Sequence, residues 1–170
     1  MRKIPLTQGK FALVDDADFE WLSQWKWCAI KWGNTWAATR NETGVTRRQH
    51  IVYMHRTILN LCRGSRWVTD HINHNGIDNR RCNLRVCTPQ QNQWNYPKIK
   101  NTSSKYKGVS KHKDGGWVSN IVCNKKQIYL GYFKNERLAA DSYDRKAIEL
   151  FGEFANLNNK NGGTHEYQSN

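Results

Sequence analysis

Acidic residues are scarce in this sequence. Fourteen Asp and Glu stand against 27 Lys and Arg in 170 residues, a formal net charge of +13 with a pI near 9.7. That imbalance predicts a polyanionic partner and argues against a small-molecule substrate. The acids are thinnest in the middle of the chain. Between Trp21 and Ser103 only Glu42, Asp70 and Asp78 are acidic, against 13 Lys and Arg. A carboxylate in such a field repels a polyanion unless something offsets its charge, so Asp70 reads as functional. Long apolar runs are also missing, and no stretch approaches the length of a membrane span. The start, MRKIPLTQGK, is basic but lacks the apolar core of a secretory signal. Cysteines are odd in number and scattered (Cys28, Cys62, Cys82, Cys87, Cys123). They read as reduced thiols rather than a disulfide framework, which predicts a cytoplasmic protein with no membrane partner. Tryptophan is plentiful, with eight residues, and most are expected in cores.

The chain is organised around Val68–Asn92, VTDHINHNGIDNRRCNLRVCTPQQN. It contains Asp70-His71, then Asn83 and Asn92, in the spacing D-H-x11-N-x8-N. Residues 67–71 read as a short strand, Asn75-Gly76 as a chain-reversing turn, and residues 83–87 as a second strand. Thr88 reads as an N-cap with Pro89 at the first helical position, which puts Asn92 one turn into a helix. Hairpin and helix together are expected to gather Asp70, His71, Asn83 and Asn92. Singly, such residues are turn and cap formers; their joint spacing is far less common. A zinc site from His71, His74, Cys82 and Cys87 is an alternative, although it lacks the paired C-x2-4-C knuckle. Asn79 and His74 read as loop-shaping residues.

This stretch resembles the active-site motif of HNH endonucleases, in the variant that ends in Asn. The resemblance implies a two-stranded hairpin and a helix clasping one divalent metal, the ββα-metal motif. It makes His71 the general base, and it makes Asn83 the residue that braces the hairpin and orients the imidazole. Asp70 and Asn92 become the metal ligands. The residue types suit the chemistry. A neutral His takes a proton near pH 7, and Mg²⁺, with Mn²⁺ as a substitute, prefers carboxylate and amide oxygens. Arg80, Arg81 and Arg85, within the motif, are candidate DNA contacts.

Before the motif, residues 1–66 read as mixed α+β. Short strands are expected at 10–14, 25–30, 35–40 and 49–53, with helices at 16–24 and 54–61. The acidic run Asp15, Asp16, Asp18 and Glu20 reads as a helix start rather than a metal site. His55 reads as a hydrogen-bonded structural histidine. Residues 95–103 read as a polar linker, and 159–170 as a flexible tail.

Residues 104–158 read as a second unit: strands at 107–112, 116–123 and 127–133, then an amphipathic helix from Asn135 to about Phe151. Its apolar face is Ala140, Tyr143, Ala147, Leu150 and Phe151. Several segments carry a second resemblance: SKYKGV (104–109), WVSNI (117–121), YLGYF (129–133), AADSYD (139–144) and GEFANLN (152–158). The unit resembles the APETALA2-type DNA-binding domain, which implies a sheet face lying in the major groove. Lys107, Ser110, His112, Gln127 and Tyr129 occupy the DNA-facing places, and Lys111, Lys125 and Lys126 grip phosphates. Ser110 and Gln127 stand where the family often has Arg, so its target sequence is not expected to carry over.

The expected protein is therefore α+β. A nuclease unit (1–94, motif 67–95) is followed by a three-stranded antiparallel sheet packed on one helix. The resemblances imply a homing-type HNH endonuclease of the phage or mobile-intron kind. It would act on double-stranded DNA as a monomer or weak dimer and leave 5′-phosphate and 3′-hydroxyl ends. A DNA-binding regulator with an inactive nuclease unit is the rival expectation.

Overall fold

The structure is a computed structural model and describes residues 1–43, 49–98 and 102–159. It is mixed α+β, with four small antiparallel sheets and four α-helices among the described residues. Cα packing divides the chain into two units, Met1–Gln93 and Trp94–Asn170. The expected tail lies almost wholly outside the described residues.

In the first unit, β1 (Arg2–Pro5) pairs with β2 (Phe11–Val14), and α1 (Asp16–Ser23) follows. Strand β1 is not expected from the sequence, because RKIP carries a Pro and no alternating apolar pattern. Pairing across a turn with Gln8 and Gly9 at positive φ makes it a strand. Next come β3 (Cys28–Trp32), β4 (Thr35–Thr43) and β5 (Gln49–Tyr53), an antiparallel sheet in that order. Helix α2 (Met54–Ile58) is shorter than expected. Asn60 turns left-handed at φ 51, and the Leu61 N–H returns to the Arg56 carbonyl, which closes the helix early. The hairpin of β6 (Val68–His71) and β7 (Leu84–Cys87) leads into α3 (Pro89–Trp94).

One core serves this whole unit. Ile4, Val14, Leu22, Trp27, Met54, Ile58 and Leu84 are buried in it together. Leu84 belongs to β7, so burial of one apolar side chain ties the hairpin to the N-terminal elements. The backbone adds a second tie. The Leu13 N–H donates to the Ile77 carbonyl at 2.8 Å, and the Asn79 N–H donates to the Leu13 carbonyl at 2.8 Å. Strand β2 thus pins the long hairpin loop.

The acids of α1 are distributed rather than clustered. Asp16 holds the N-terminal amine and Glu20 holds Arg2. Asp18, buried, takes the Arg81 guanidinium on both oxygens at 2.7 and 2.8 Å, and Asp15 accepts the Arg81 backbone N–H. Arg81→Ala leaves a buried carboxylate without its counter-ion. We expect a loss of about 2–3 kcal/mol in a urea titration, at or below the value for a fully buried pair because Arg81 is half exposed. An unchanged midpoint would show that water already solvates Asp18.

In the second unit, β8 (Val109–Lys111), β9 (Trp117–Cys123) and β10 (Lys126–Phe133) form an antiparallel sheet with β9 central. Asn124 and Lys125, both at positive φ, make the two-residue hairpin turn. Helix α4 (Glu136–Phe151) starts at Asn135, whose side chain accepts the Arg137 N–H. Its buried face is Ala139, Ala140, Tyr143, Asp144, Ala147 and Phe151. The alanines let the helix lie close to the sheet, and Gly108 lies so near Tyr143 that a Cβ there would clash. Trp117 packs on this inner side with Val109, Ala139 and Ala140.

Residues 94–98, partly within the expected linker, pack onto the second unit. Trp94 stacks on Phe151 with centroids 4.5 Å apart, and Asn95 is buried. The Lys107 ammonium donates to the carbonyls of Trp94 and Tyr96 at 2.7 Å each.

Candidate active site

The hairpin register sets Asp70 opposite Arg85 and His71 opposite Leu84. Alternation then separates their tasks: Leu84 enters the core while its neighbour Arg85 meets Asp70. The Arg85 guanidinium reaches Asp70 Oδ2 through Nε at 2.8 Å and Nη2 at 2.7 Å. Both residues are largely buried, with side-chain exposures of 5% for Asp70 and 12% for Arg85.

The His71 Nε2 lies 3.3 Å from Asn79 Oδ1. The amide nitrogen of Asn79 points the other way, to Met54 Sδ at 3.5 Å, which agrees with the oxygen facing the ring. In that arrangement Nε2 carries the proton and Nδ1 keeps the lone pair. Burial pushes the imidazole below its ordinary pKa, against the opposing pull of the Asn79 hydrogen bond and of the Asp70 and Asp78 charges. His71 is therefore neutral at pH 7. Asn79, read from sequence as a loop former, is fully buried and reaches the imidazole directly. The signal that would have found it is weak: one Asn in a loop holding Asn73, Asn75 and Asn79.

Asn83 sits at the end of the loop. Its Oδ1 accepts the Asn73 N–H at 3.0 Å, and its Nδ2 donates to the Asp78 carbonyl at 2.7 Å. It braces the hairpin across its mouth. The buried Asp78 is held by Arg80 on both oxygens and by Asn73, and the Arg80 guanidinium keeps this carboxyl below the usual range. All three motif arginines thus engage a carboxylate: Arg80 with Asp78, Arg81 with Asp18, Arg85 with Asp70. Asn92 enters on α3. The Thr88 Oγ1 accepts the Gln91 N–H and Gln91 Oε1 accepts the Thr88 N–H, a reciprocal cap that starts this helix beside the hairpin.

His55 adds a second imidazole. Its ring meets that of His71 edge-on, with centroids 5.1 Å apart, and Tyr53 lies against its other side at 5.4 Å. Its Nδ1 is buried with no hydrogen-bond partner among the described residues, contrary to the expected satisfied histidine. Burial, then the neighbouring His71 and Arg56, push its pKa down to about 3. An unfolded chain would take up this proton between about pH 6.5 and 3, and the folded chain would not. Stability must therefore fall as pH falls through that window. At pH 5 the expected loss relative to pH 7 is about 2 kcal/mol from this group. Urea titrations at both pH values check it, and His55→Phe should flatten the difference. An equal acid loss in the variant would assign the effect elsewhere.

The zinc alternative is not assembled. Among the described residues no group of three or more His, Cys, Asp or Glu is placed to hold a metal. Cys87 is buried with its thiol near the Val68 carbonyl, whereas Cys82 is exposed. The motif offers a carboxylate and an amide oxygen instead, a donor set that fits a hard divalent cation.

In the second unit Ser110, Lys111, Lys125, Lys126, Gln127 and Tyr129 are exposed on the sheet and its turns. The His112 ring, in the β8–β9 turn, meets Tyr132 of β10 edge-on. Lys107 departs from the expected DNA-facing place: its ammonium caps the two carbonyls described above, and burial lowers its pKa to about 8. No helix of the described residues is long and apolar enough to cross a membrane.

No family model matches the chain. It is 34% identical over 148 residues to an uncharacterized HNH endonuclease of Acanthamoeba polyphaga mimivirus, covering 87% of this chain and 74% of that protein. It is 47% identical over 58 residues to the APETALA2-like protein 2 of rice, and 44% identical over 46 residues to an AP2/ERF and B3 domain-containing transcription factor of Arabidopsis thaliana. These plant matches cover 33% and 27% of the chain, which spans only 13% and 14% of those proteins' lengths.

Proposed function

The chain belongs to the HNH endonuclease family, and on that premise we propose that it is a metal-dependent DNA endonuclease with its own groove-reading module. The observation that carries this reading is the His71 imidazole, held by Asn79 beside the buried Asp70. Nδ1 of His71 takes a proton from water, whose oxygen attacks the scissile phosphorus. The 3′ oxygen leaves and takes a proton from solvent, giving 5′-phosphate and 3′-hydroxyl ends. Asp70 and Asn92 would hold one Mg²⁺ or Mn²⁺, which supplies Lewis-acid stabilisation of the phosphate and leaving oxygen. Asn83 keeps the hairpin mouth closed, so Asp70 and His71 stay in register. Arg80 and Arg85 fix Asp78 and Asp70. Arg81, half exposed, presents its outer edge to the backbone. In the second unit the outer sheet face enters the major groove through Ser110, His112, Gln127 and Tyr129. Lys111, Lys125 and Lys126 hold phosphates.

One motif per chain gives one cut per visit, so a monomer nicks. The test is supercoiled plasmid with Mg²⁺: nicked circles with 5′-phosphate and 3′-hydroxyl ends support the reading. A second reading is a DNA-binding regulator with a silent nuclease unit. It is favoured by the Arg85 guanidinium lying on Asp70, which offsets the charge a metal would otherwise meet. Bound plasmid left intact with both Mg²⁺ and Mn²⁺ would decide for it. Asp70→Ala and Asn92→Ala each remove an oxygen ligand. We expect the Mg²⁺ needed for half-maximal nicking to rise about tenfold or more, with partial recovery in Mn²⁺. A defect insensitive to metal concentration would remove both residues from the ligand set.

A further inference from the structure

The outer face of the second unit's sheet has an unusual chemistry for a chain of this charge. Strand alternation turns Val118, Asn120 and Val122 of β9 outward, because Ser119 and Ile121 between them are buried. Across the β9–β10 ladder, Val122 pairs with Gln127, Asn120 with Tyr129 and Val118 with Tyr132. On β8, Ser110 extends the Val118 row. The face is open: Val122 is 57% exposed and Tyr129 63%. It holds two amides, two branched apolar side chains, two phenol rings and a hydroxyl, with no Arg or Lys among them. The cations sit around it instead, with Lys111, Lys113, Lys125 and Lys126 exposed at its turns and strand ends.

We propose that this face is an A·T reader, in which Asn120 and Gln127 contact adenine and Val118 and Val122 contact thymine methyl groups. The inference rests on the DNA-binding reading above and deepens it to base preference. In the major groove a side-chain amide matches adenine, offering an acceptor to N6–H and a donor to N7. The thymine methyl is the only apolar group on a base edge there, and Val is suited to cover it. Guanine presents two acceptors, best met by a guanidinium, and this face has none. Val118 to Val122 spans about 13 Å at roughly 3.3 Å per residue. At 3.4 Å per base pair the direct readout covers about four base pairs. The surrounding lysines match the phosphates that border such a stretch and carry no sequence information.

The test is selection of duplexes from a random pool by the full chain in EDTA, which prevents cleavage. The same selection is run with Gln127→Arg and Val122→Arg, both exposed positions where a longer side chain fits. The wild-type chain should enrich a core of about four A·T pairs, and each A·T to G·C change in it should cost about tenfold or more in affinity. Either Arg variant should move guanine into one or two positions of that core and leave the rest unchanged. Duplexes retained with a G·C core, with no core, or with a core the Arg variants do not alter would overturn the inference while the DNA-binding reading stands. Retention of no duplex would overturn both and leave the open face to a protein partner.

Discussion

His71→Ala should lower plasmid nicking by about 100- to 10,000-fold, the usual worth of a positioned proton acceptor. DNA affinity should stay within about twofold, because a neutral imidazole contributes no charge to phosphate binding. The size of the effect follows from the setting. Burial keeps the ring unprotonated at pH 7, and Asn79 holds Nε2 so that the lone pair on Nδ1 points one way. Alanine removes the acceptor and leaves the hairpin intact, since Asn83, Leu84 and the Leu13 backbone bonds hold the loop without it. Gel shift and nicking on one preparation separate the two quantities. Nicking at wild-type rate would show that another group takes the proton. A parallel loss of binding would show that the variant has lost its fold.

The second large effect is on binding. Affinity for duplex DNA should fall about 500-fold between 50 and 200 mM salt. About five phosphate contacts, from Lys105, Lys111, Lys113, Lys125 and Lys126, each release close to one counterion. Arg81 is not counted because Asp18 already neutralises it. Lys107 is left out because its ammonium already caps the Trp94 and Tyr96 carbonyls. Lys125→Ala together with Lys126→Ala should reduce the slope of log affinity against log salt by about two, uniformly across sequences. A salt response near zero would mean that the net charge of +13 serves something other than DNA.

Much of this was legible along the chain because it rests on local rules. Thr88-Pro89 announced α3, and the reciprocal cap with Gln91 appears there. The alanine spacing announced the face that α4 buries. Local rules failed where a partner far along the chain decides. Strand β1 exists because β2 pairs with it, and no pattern within Arg2–Pro5 requires it. Trp94 and Asn95 read as the end of the nuclease unit and the start of the linker, yet a ring stack on Phe151 draws them onto the second unit. His55 looked like an ordinary histidine, and its unpartnered nitrogen appears only once β5 and α2 bring it against His71.

The sequence by itself determined most of the element types, the basic field with its few acids, and the spacing that sets Asp70-His71, Asn83 and Asn92 on a hairpin and a helix. These depend on periodicity, capping and charge, which act between near neighbours. Tertiary structure alone decided which arginine meets which carboxylate, that Lys107 turns to carbonyls rather than to the open sheet, and that Asn79 holds the imidazole. Arg80 reaches Asp78 two residues away, but the other contacts join residues 8 to 63 apart along the chain, whose backbones must come within a few ångströms. Burial of Leu84 in the N-terminal core and the two Leu13 backbone hydrogen bonds set that approach for the active-site loop.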